Sequence, residues 1–325
     1  MQTKQKLPCQ NLKKGLAKTR VALKSMPHKS KNDFIILSCK DYPQGNSALQ
    51  GLCAHLKVFW AERGVECEAK IAPWRELDLK NLSSNSVLLP LAVWDYSQHY
   101  DEFLRFLDEI KRLNLAVFNP LPLLRWNLSK LYLKELENLG FDIIPSLFVR
   151  PSQNSIDEAL KRAKMWQNPI IKPLVSQSGN GVFRLDGLNL NSLFKDKLFE
   201  NGFVLQEFMS EILDKGELCL VFFNAKFHYA ITRRVACGEF RANSQFGASV
   251  HRCEVVEKNC LDTARQILAH LPQKPLYARI DFITHKGKAL INEVELIEPS
   301  LYFDYDKCAL QNFCEAVFAS LKHRI

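Results

Sequence analysis

Leu290-Ile291-Asn292-Glu293-Val294-Glu295-Leu296-Ile297, with Arg279-Ile280-Asp281 shortly before it, is the stretch on which the reading of this chain turns. Its acids and apolar residues alternate, the pattern of a strand whose side chains point to opposite faces in turn. Glu293 and Glu295 then share one face, and Val294 and Leu296 the other. Like charges stacked on one strand repel unless a cation lies between them. Asp281 ends the segment Leu276–Ile280 and supplies a third carboxylate if the two strands are neighbours. Three hard oxygen donors without a nearby His or Cys fit Mg²⁺, or Mn²⁺, held together with a polyphosphate. The alternative is an acidic edge facing solvent. Arg279 shares the face of Asp281, either to stabilise a developing oxyanion or simply to pair with the same acids.

Upstream, Lys172 closes the apolar run Pro169-Ile170-Ile171 and leads into Ser176-Gln177-Ser178-Gly179-Asn180-Gly181. A lysine at a strand end beside a glycine-rich loop neutralises phosphate while loop amides cradle its oxygens. Lys130 opens a helical segment after Asn127. No G-x-x-x-x-G-K-[ST] run occurs, so this is not a P-loop. Taken singly, either lysine also fits an ordinary surface position.

The rest of the chain alternates strands and helices. Phe34–Ser38 reads as a buried strand. Residues 47–63 carry apolar positions at helical spacing (Leu49, Leu52, Cys53, Leu56, Phe59, Trp60) and close on Arg63-Gly64. Strands at 65–72, 87–93 and 115–118 and a helix at 100–113 complete a small α/β lobe with a parallel sheet over residues 33–118. Residues 119–205 are expected to form a linker helix (129–139) and a small lid lobe, with strands at 143–149, 169–173 and 182–185 and a helix at 155–167. Residues 206–325 are expected to form a C-terminal mixed-sheet lobe, with strands at 203–208, 218–224, 226–235, 276–283 and 289–295 and helices at 259–271 and 306–321.

The net charge of +9 is local: residues 1–32 hold nine Lys/Arg and no Asp or Glu, leaving 35 basic against 35 acidic residues in the body. These residues read as a solvated, disordered arm, the alternatives being an electrostatic contact for nucleic acid or anionic lipid, or a targeting segment. Nucleic acid is expected at most through this arm, because the neutral body lacks a basic stripe interleaved with aromatics. No run approaches the ~18 apolar residues of a spanning helix, and no membrane association is expected. The ten cysteines are scattered without CxxC or zinc-ligand spacing. They read as buried small hydrophobes of a cytoplasmic protein. A homodimer is compatible with the sequence.

Together, and in this order, these motifs resemble the ATP-grasp superfamily over residues 119–303, in its glutathione-synthetase-type branch. The resemblance implies an ATP-grasp fold, ATP as cosubstrate and Mg²⁺ (or Mn²⁺) as cofactor. It assigns phosphate binding to Lys130 and Lys172, and the mobile loop to Ser178, Gly179 and Gly181. It assigns the adenine hinge to Gln206, Glu207 and Phe208, and ribose to Glu217. Gly238-Glu239-Phe240-Arg241-Ala242-Asn243 is similar to the Arg-x-Asn stretch of ribosomal-protein glutamate ligases, with Arg241 on phosphate and Asn243 at the nucleotide–metal site. Arg279-Ile280-Asp281 is similar to a tripeptide of D-alanine–D-alanine ligases, in which the arginine supports the tetrahedral intermediate and the aspartate binds metal. The metal motif departs from Glu-x-Asn: Glu295 stands where asparagine is usual. That variant, with Trp94-Asp95-Tyr96 and Trp126-Asn127, resembles the group containing the O-ureido-serine cyclo-ligase of D-cycloserine biosynthesis.

The implied activity is carboxylate ligation. A small-molecule or peptide carboxylate is activated as an acyl phosphate and attacked by a nucleophilic co-substrate, an amine, or by a nucleophile within the same molecule. ADP and phosphate leave. A non-catalytic ATP-binding module with a basic recruitment arm is the alternative, against which the intact set of lysines, acids and Arg279 argues.

Overall fold

The structure, a computed structural model, describes residues 32–150, 153–186, 188 and 193–322. The basic arm lies outside the described residues apart from Asn32.

In the N-terminal lobe, β1 (Asn32–Ser38), β2 (Cys67–Pro73), β3 (Ser86–Leu89) and β4 (Ala116–Val117) form a parallel sheet in the order β2-β1-β3-β4. Both faces are covered, which explains the unbroken apolar run of β1. Phe34 and Ile36 pack with Leu52, Leu56, Phe59 and Trp60 of the helix Ser47–Ala61. Ile35 and Leu37 pack with Phe103, Leu107 and Ile110 of the helix Tyr100–Arg112. The strand expected over 87–93 stops at Leu89, because Pro90 has no amide hydrogen to offer a ladder. Residues 91–97 turn instead, carrying Trp94 and Tyr96 to the lobe junction.

The C-terminal sheet is antiparallel, ordered β11-β10-β9-β12-β13, from β9 (Glu217–Phe223), β10 (Lys226–Arg234), β11 (Ser249–Cys253), β12 (Tyr277–His285) and β13 (Lys288–Glu295). One face (Leu220, Phe222, Ile280, Phe282, Ile291, Val294) packs with Cys260, Ala264 and Ile267 of the helix Lys258–His270. The other face (Cys219, Val221, Tyr229, Ile231) packs with Phe313 and Val317 of the helix Ala309–Leu321 and joins the N-terminal core.

Between them, β5 (Ser146–Val149), β6 (Ile170–Pro173), β7 (Phe183–Arg184) and β8 (Phe203–Gln206) make the lid sheet, ordered β5-β8-β6-β7. The helix Gln153–Ala163 packs on it through Ile156, Ala159 and Ala163. The linker helix expected over 129–139 is Leu131–Asn138, and a second helix, Leu121–Asn127, which the sequence reading did not include, precedes it. Their apolar residues Leu123, Tyr132, Leu133 and Leu136 pack into the C-terminal core rather than the lid. The strand expected from Ile143 begins only at Ser146, because Ile143 bridges to Ile291 instead. Strand β11 and the short helix Glu211–Asp214 were not legible, being short and without clear periodicity. Among the described residues no helix is long and apolar enough to cross a membrane.

Candidate active site

The site begins with the register of β12 on β13. Arg279 lies opposite Glu295, and Asp281 opposite Glu293, so the four charged side chains share one face. Their neighbour β9 places Cys219 beside Asp281. The ladder shifts between Asp281 and Phe282, skipping Asn292. In a regular strand Asn292 would face away from Glu293. The bulge returns it to the site, where it accepts from Lys172 Nζ at 3.1 Å and donates to Glu217.

β13 is the edge of its sheet, and an edge strand needs partners for its outer backbone groups. Asn127 supplies two, donating to Val294 O at 2.7 Å and accepting from Leu296 N at 2.7 Å. The Tyr132 hydroxyl accepts from Val294 N at 3.0 Å, and Asp142 and Ile144 bond Ile291. Buried Asn119 ties the next segment, donating to Tyr277 O and Leu296 O. The carboxylates therefore stand on a strand held along both edges, and Asn127 serves that scaffold.

Around this floor opens a cleft between lid and C-terminal sheet. Most of the expected site residues line it: Lys130, Lys172, Ser178, Gly179, Gln206, Glu207, Phe208, Glu217, Arg241, Asn243, Glu293 and Glu295. One end is apolar, walled by Ile144, Ile170, Met209, Ile212 and Ile283 beside Phe208. The Arg184 guanidinium of the lid lies 4.5 Å from the Phe208 ring centre and 4.9 Å from that of Phe240, a cation–π clasp over this end. The other end is charged. Lys130 Nζ lies 3.2 Å from a Glu293 oxygen and 2.7 Å from Ser176 O, so one lysine joins the metal-motif strand to the glycine loop.

Three expected residues do not line the cleft. Arg279 and Asp281 lie beneath it, 2% and 0% exposed. Arg279 Nη2 reaches an Asp281 oxygen at 2.9 Å and also bonds Glu295. Gly181 is turned against Leu198 and Pro173, where a Cβ would come within 2.4 and 2.6 Å, and its φ is +70°. It shapes the loop's path. Glu217, expected at the ribose, is 2% exposed with one oxygen on Arg233 and the other on Asn292. Arg241 is held in a bidentate pair with Glu239 and stacks 3.5 Å above the centre of the Phe246 ring. That pairing brings Glu239 down to about 2.

Two further residues complete the site without having been singled out from sequence. Arg233, buried, bonds Glu217 and, at 2.7 Å, Asp281. Its only sequence signal is an arginine at the end of an apolar strand. Gln177 bonds Ser97 Oγ and Trp94 O, fastening the glycine loop to the N-terminal lobe; a polar residue in a polar loop carries no signal.

Glu217, Asp281, Glu293 and Glu295 face Lys130, Lys172, Arg233 and Arg279. Burial works against every one of these charges. At Asp281 the opposing pull of Arg279 and Arg233 wins, and its pKa is lowered. At Glu293 burial is likewise outweighed by Lys130 and Lys172. At Glu217 burial wins over Arg233 and the pKa rises. At Glu295 burial prevails over Arg279 and pushes the carboxyl up to about 8. Lys172 is lowered by burial against the pull of Glu293. The donor set fits a hard divalent cation: one oxygen from each of Asp281, Glu293 and Glu295 lies within 4.8 Å of the others.

Residues 129–304 match the family described as the prokaryotic glutathione synthetase ATP-grasp domain, and residues 34–119 match the N-terminal domain of D-cycloserine synthetase DcsG. The chain is 23% identical over 280 residues to the cycloserine biosynthesis protein DcsG of Streptomyces lavendulae, covering 80% of this chain and 91% of that protein. The crystal structure of D-cycloserine synthetase DcsG superposes with a TM-score of 0.73 at 20% identity, over 90% of this chain and all of that one. D-alanine–D-alanine ligase from Bacillus anthracis superposes at 0.64 and 13% identity, over 91% of this chain. The first match spans more than half of the chain and includes Lys130, Lys172, the glycine loop and the carboxylates described above: the chain belongs to the glutathione-synthetase-type ATP-grasp family and is an ATP-grasp ligase.

Proposed function

We propose that this ligase uses ATP and Mg²⁺ to activate a small-molecule or peptide carboxylate as an acyl phosphate, for attack by an amine or by a nucleophile within the same substrate. The observation that carries the reading is the convergence of Lys130 and Lys172 on Asn292-Glu293, at the charged end of a cleft whose other end is apolar. The apolar end suits a nucleobase against Phe208, and the charged end suits a polyphosphate. Asp281, Glu293 and Glu295 would hold the metal, which when bound withdraws charge from the transferring phosphoryl group.

The residues divide the work. Lys130 and Lys172 stabilise charge developing on the phosphoryl oxygens. Arg279, fixed by Asp281 and Glu295, supplies positive field where the tetrahedral oxyanion forms. Arg241 adds a further cation from the rim once released from Glu239. Gln177 and Lys130 draw the glycine loop over the site, keeping water from the acyl phosphate. No side chain need act as nucleophile.

The test is ADP release by the purified protein with a panel of carboxylates, with and without amines. Hydroxylamine serves as a surrogate nucleophile that converts an acyl phosphate into a hydroxamate. Carboxylate-dependent ADP release with hydroxamate formation is the expected result. Mg²⁺-dependent ATP binding that no carboxylate converts into turnover favours the non-catalytic module instead.

A further inference from the structure

Beside the glycine loop, the wall of the cleft ends in a turn of which the mechanism above uses only Arg241. Asn243 Oδ1 accepts from Gln245 N at 3.0 Å and so fixes the short 3-10 turn Ser244–Phe246, which closes on Gly247 at a φ of +78°. The ring at its end, Phe246, is half-buried but joins none of the hydrophobic cores formed by the described residues. Core packing therefore does not account for its place.

Two neighbours do. On the face of the ring lies the Arg241 guanidinium, 3.5 Å from the ring centre, a cation–π contact. Against its edge lies the glycine loop. A Cβ built on Gly179 would come within 3.0 Å of Phe246 Cε2 and 3.9 Å of Arg241 Cδ, and the backbone there has a φ of +73°. Glycine meets both the conformation and the close approach. Gln245, adjacent to the ring in sequence, donates from Nε2 to Ser178 O and ties the same stretch of loop. One ring is thus shared by a cation that lines the cleft and by the loop that covers it.

Arg241 also has a competing partner. Glu239 accepts from its Nε at 3.0 Å and its Nη2 at 2.7 Å. The acid is itself held by Phe240 N and Arg241 N, at 2.7 and 3.1 Å, so it stays in place when the arginine side chain turns. A planar guanidinium can turn over an aromatic face without losing contact with it. With the loop closed, Gly179 fills the edge of the ring and keeps the ring from turning away from Arg241.

We infer that Phe246 is a positioning residue. It is locked when the glycine loop closes, and it then holds Arg241 toward the polyphosphate end of the cleft, so that this cation is fully placed only over a covered site. The inference rests on the proposed ligase reading and adds to it the side chain that sets when Arg241 acts.

The experiment measures equilibrium binding of AMP-PNP, a non-hydrolysable ATP analogue, with Mg²⁺, and of AMP. It uses the full chain and its variants Phe246→Leu, Phe246→Tyr, Arg241→Met and the double variant Arg241→Met with Phe246→Leu. Phe246→Leu should weaken AMP-PNP about three- to tenfold and leave AMP, which lacks the polyphosphate, within about twofold. Phe246→Tyr, which keeps the ring face, should bind AMP-PNP like the wild type. Because Phe246 works through Arg241, the double variant should lose no more affinity than Arg241→Met alone. In the AMP-PNP complex, amide hydrogen exchange over residues 176–181 should quicken in Phe246→Leu and not in Phe246→Tyr. Unchanged AMP-PNP affinity or unchanged exchange in Phe246→Leu, an equal loss for AMP, or losses that simply add in the double variant overturns the inference. Failure of the wild type to bind AMP-PNP would instead count against the ATP site, so the two failures are separable.

Discussion

Replacing Glu293 by glutamine removes one charge from the centre of the site while keeping its shape, and the structure sets the scale of the loss. Glu293 stands 3.2 Å from Lys130 Nζ. At the effective dielectric of about 20 that suits such pairs, two unit charges at that separation interact by about 5 kcal/mol. A divalent ion at similar range roughly doubles this gross attraction, and desolvation returns most of it. A net loss of about 2–4 kcal/mol in Mg²⁺-dependent nucleotide binding is therefore expected, roughly 30- to 1000-fold in affinity. The assay is competition of ATP against a fluorescent nucleotide, at zero and at saturating Mg²⁺, for wild type and Glu293→Gln. The Mg²⁺-free affinity should hold or improve, since the glutamine no longer repels phosphate and leaves Lys130 and Lys172 uncompensated. Turnover with any active carboxylate should be abolished. If Glu293→Gln, shown to be folded by its circular dichroism, gains as much affinity from Mg²⁺ as the wild type, the assignment of Glu293 to the metal is refuted.

Other expectations follow from the same geometry. Glu295 is raised from an ordinary 4.5 to about 8, chiefly by burial. The folded form thus keeps a proton that the unfolded chain releases, and its contribution is present below about pH 4.5 and lost as pH rises through about 8. Glu295→Asn, the residue usual in the family, should flatten the fall in melting temperature between pH 6 and 9; an unchanged slope contradicts the shift. Arg233→Met leaves Glu217 and Asp281 buried without that partner and should cost about 3–5 kcal/mol, read as a lower urea midpoint. An unaltered midpoint would mean the pair contributes nothing. Gly181→Ala forces a Cβ to 2.4 Å from Leu198 at a φ of +70°, at a cost of about 1–3 kcal/mol to the loop's conformation. Nucleotide affinity should drop about tenfold, and an alanine variant binding like the wild type would show that the loop does not need this path.

Features that depend on periodicity and local chemistry were legible in the order of residues alone. The unbroken apolar run of β1 announced a strand covered on both faces. The alternation Glu293-Val294-Glu295 put two acids on one face, and Arg279-Ile280-Asp281 did the same for the strand beside it. Register, pairing and burial belong to the tertiary structure. Only the ladder places Arg279 opposite Glu295 and Asp281 opposite Glu293. Only the bulge brings Asn292 to the side of Glu293, against the period-two reading. Glu217 stood in the position expected for ribose, but its side chain is committed to Arg233 and Asn292, and nothing local to either strand announces that meeting. Whether a polar group has a partner is decided by residues far away along the chain, brought close only when the sheet assembles.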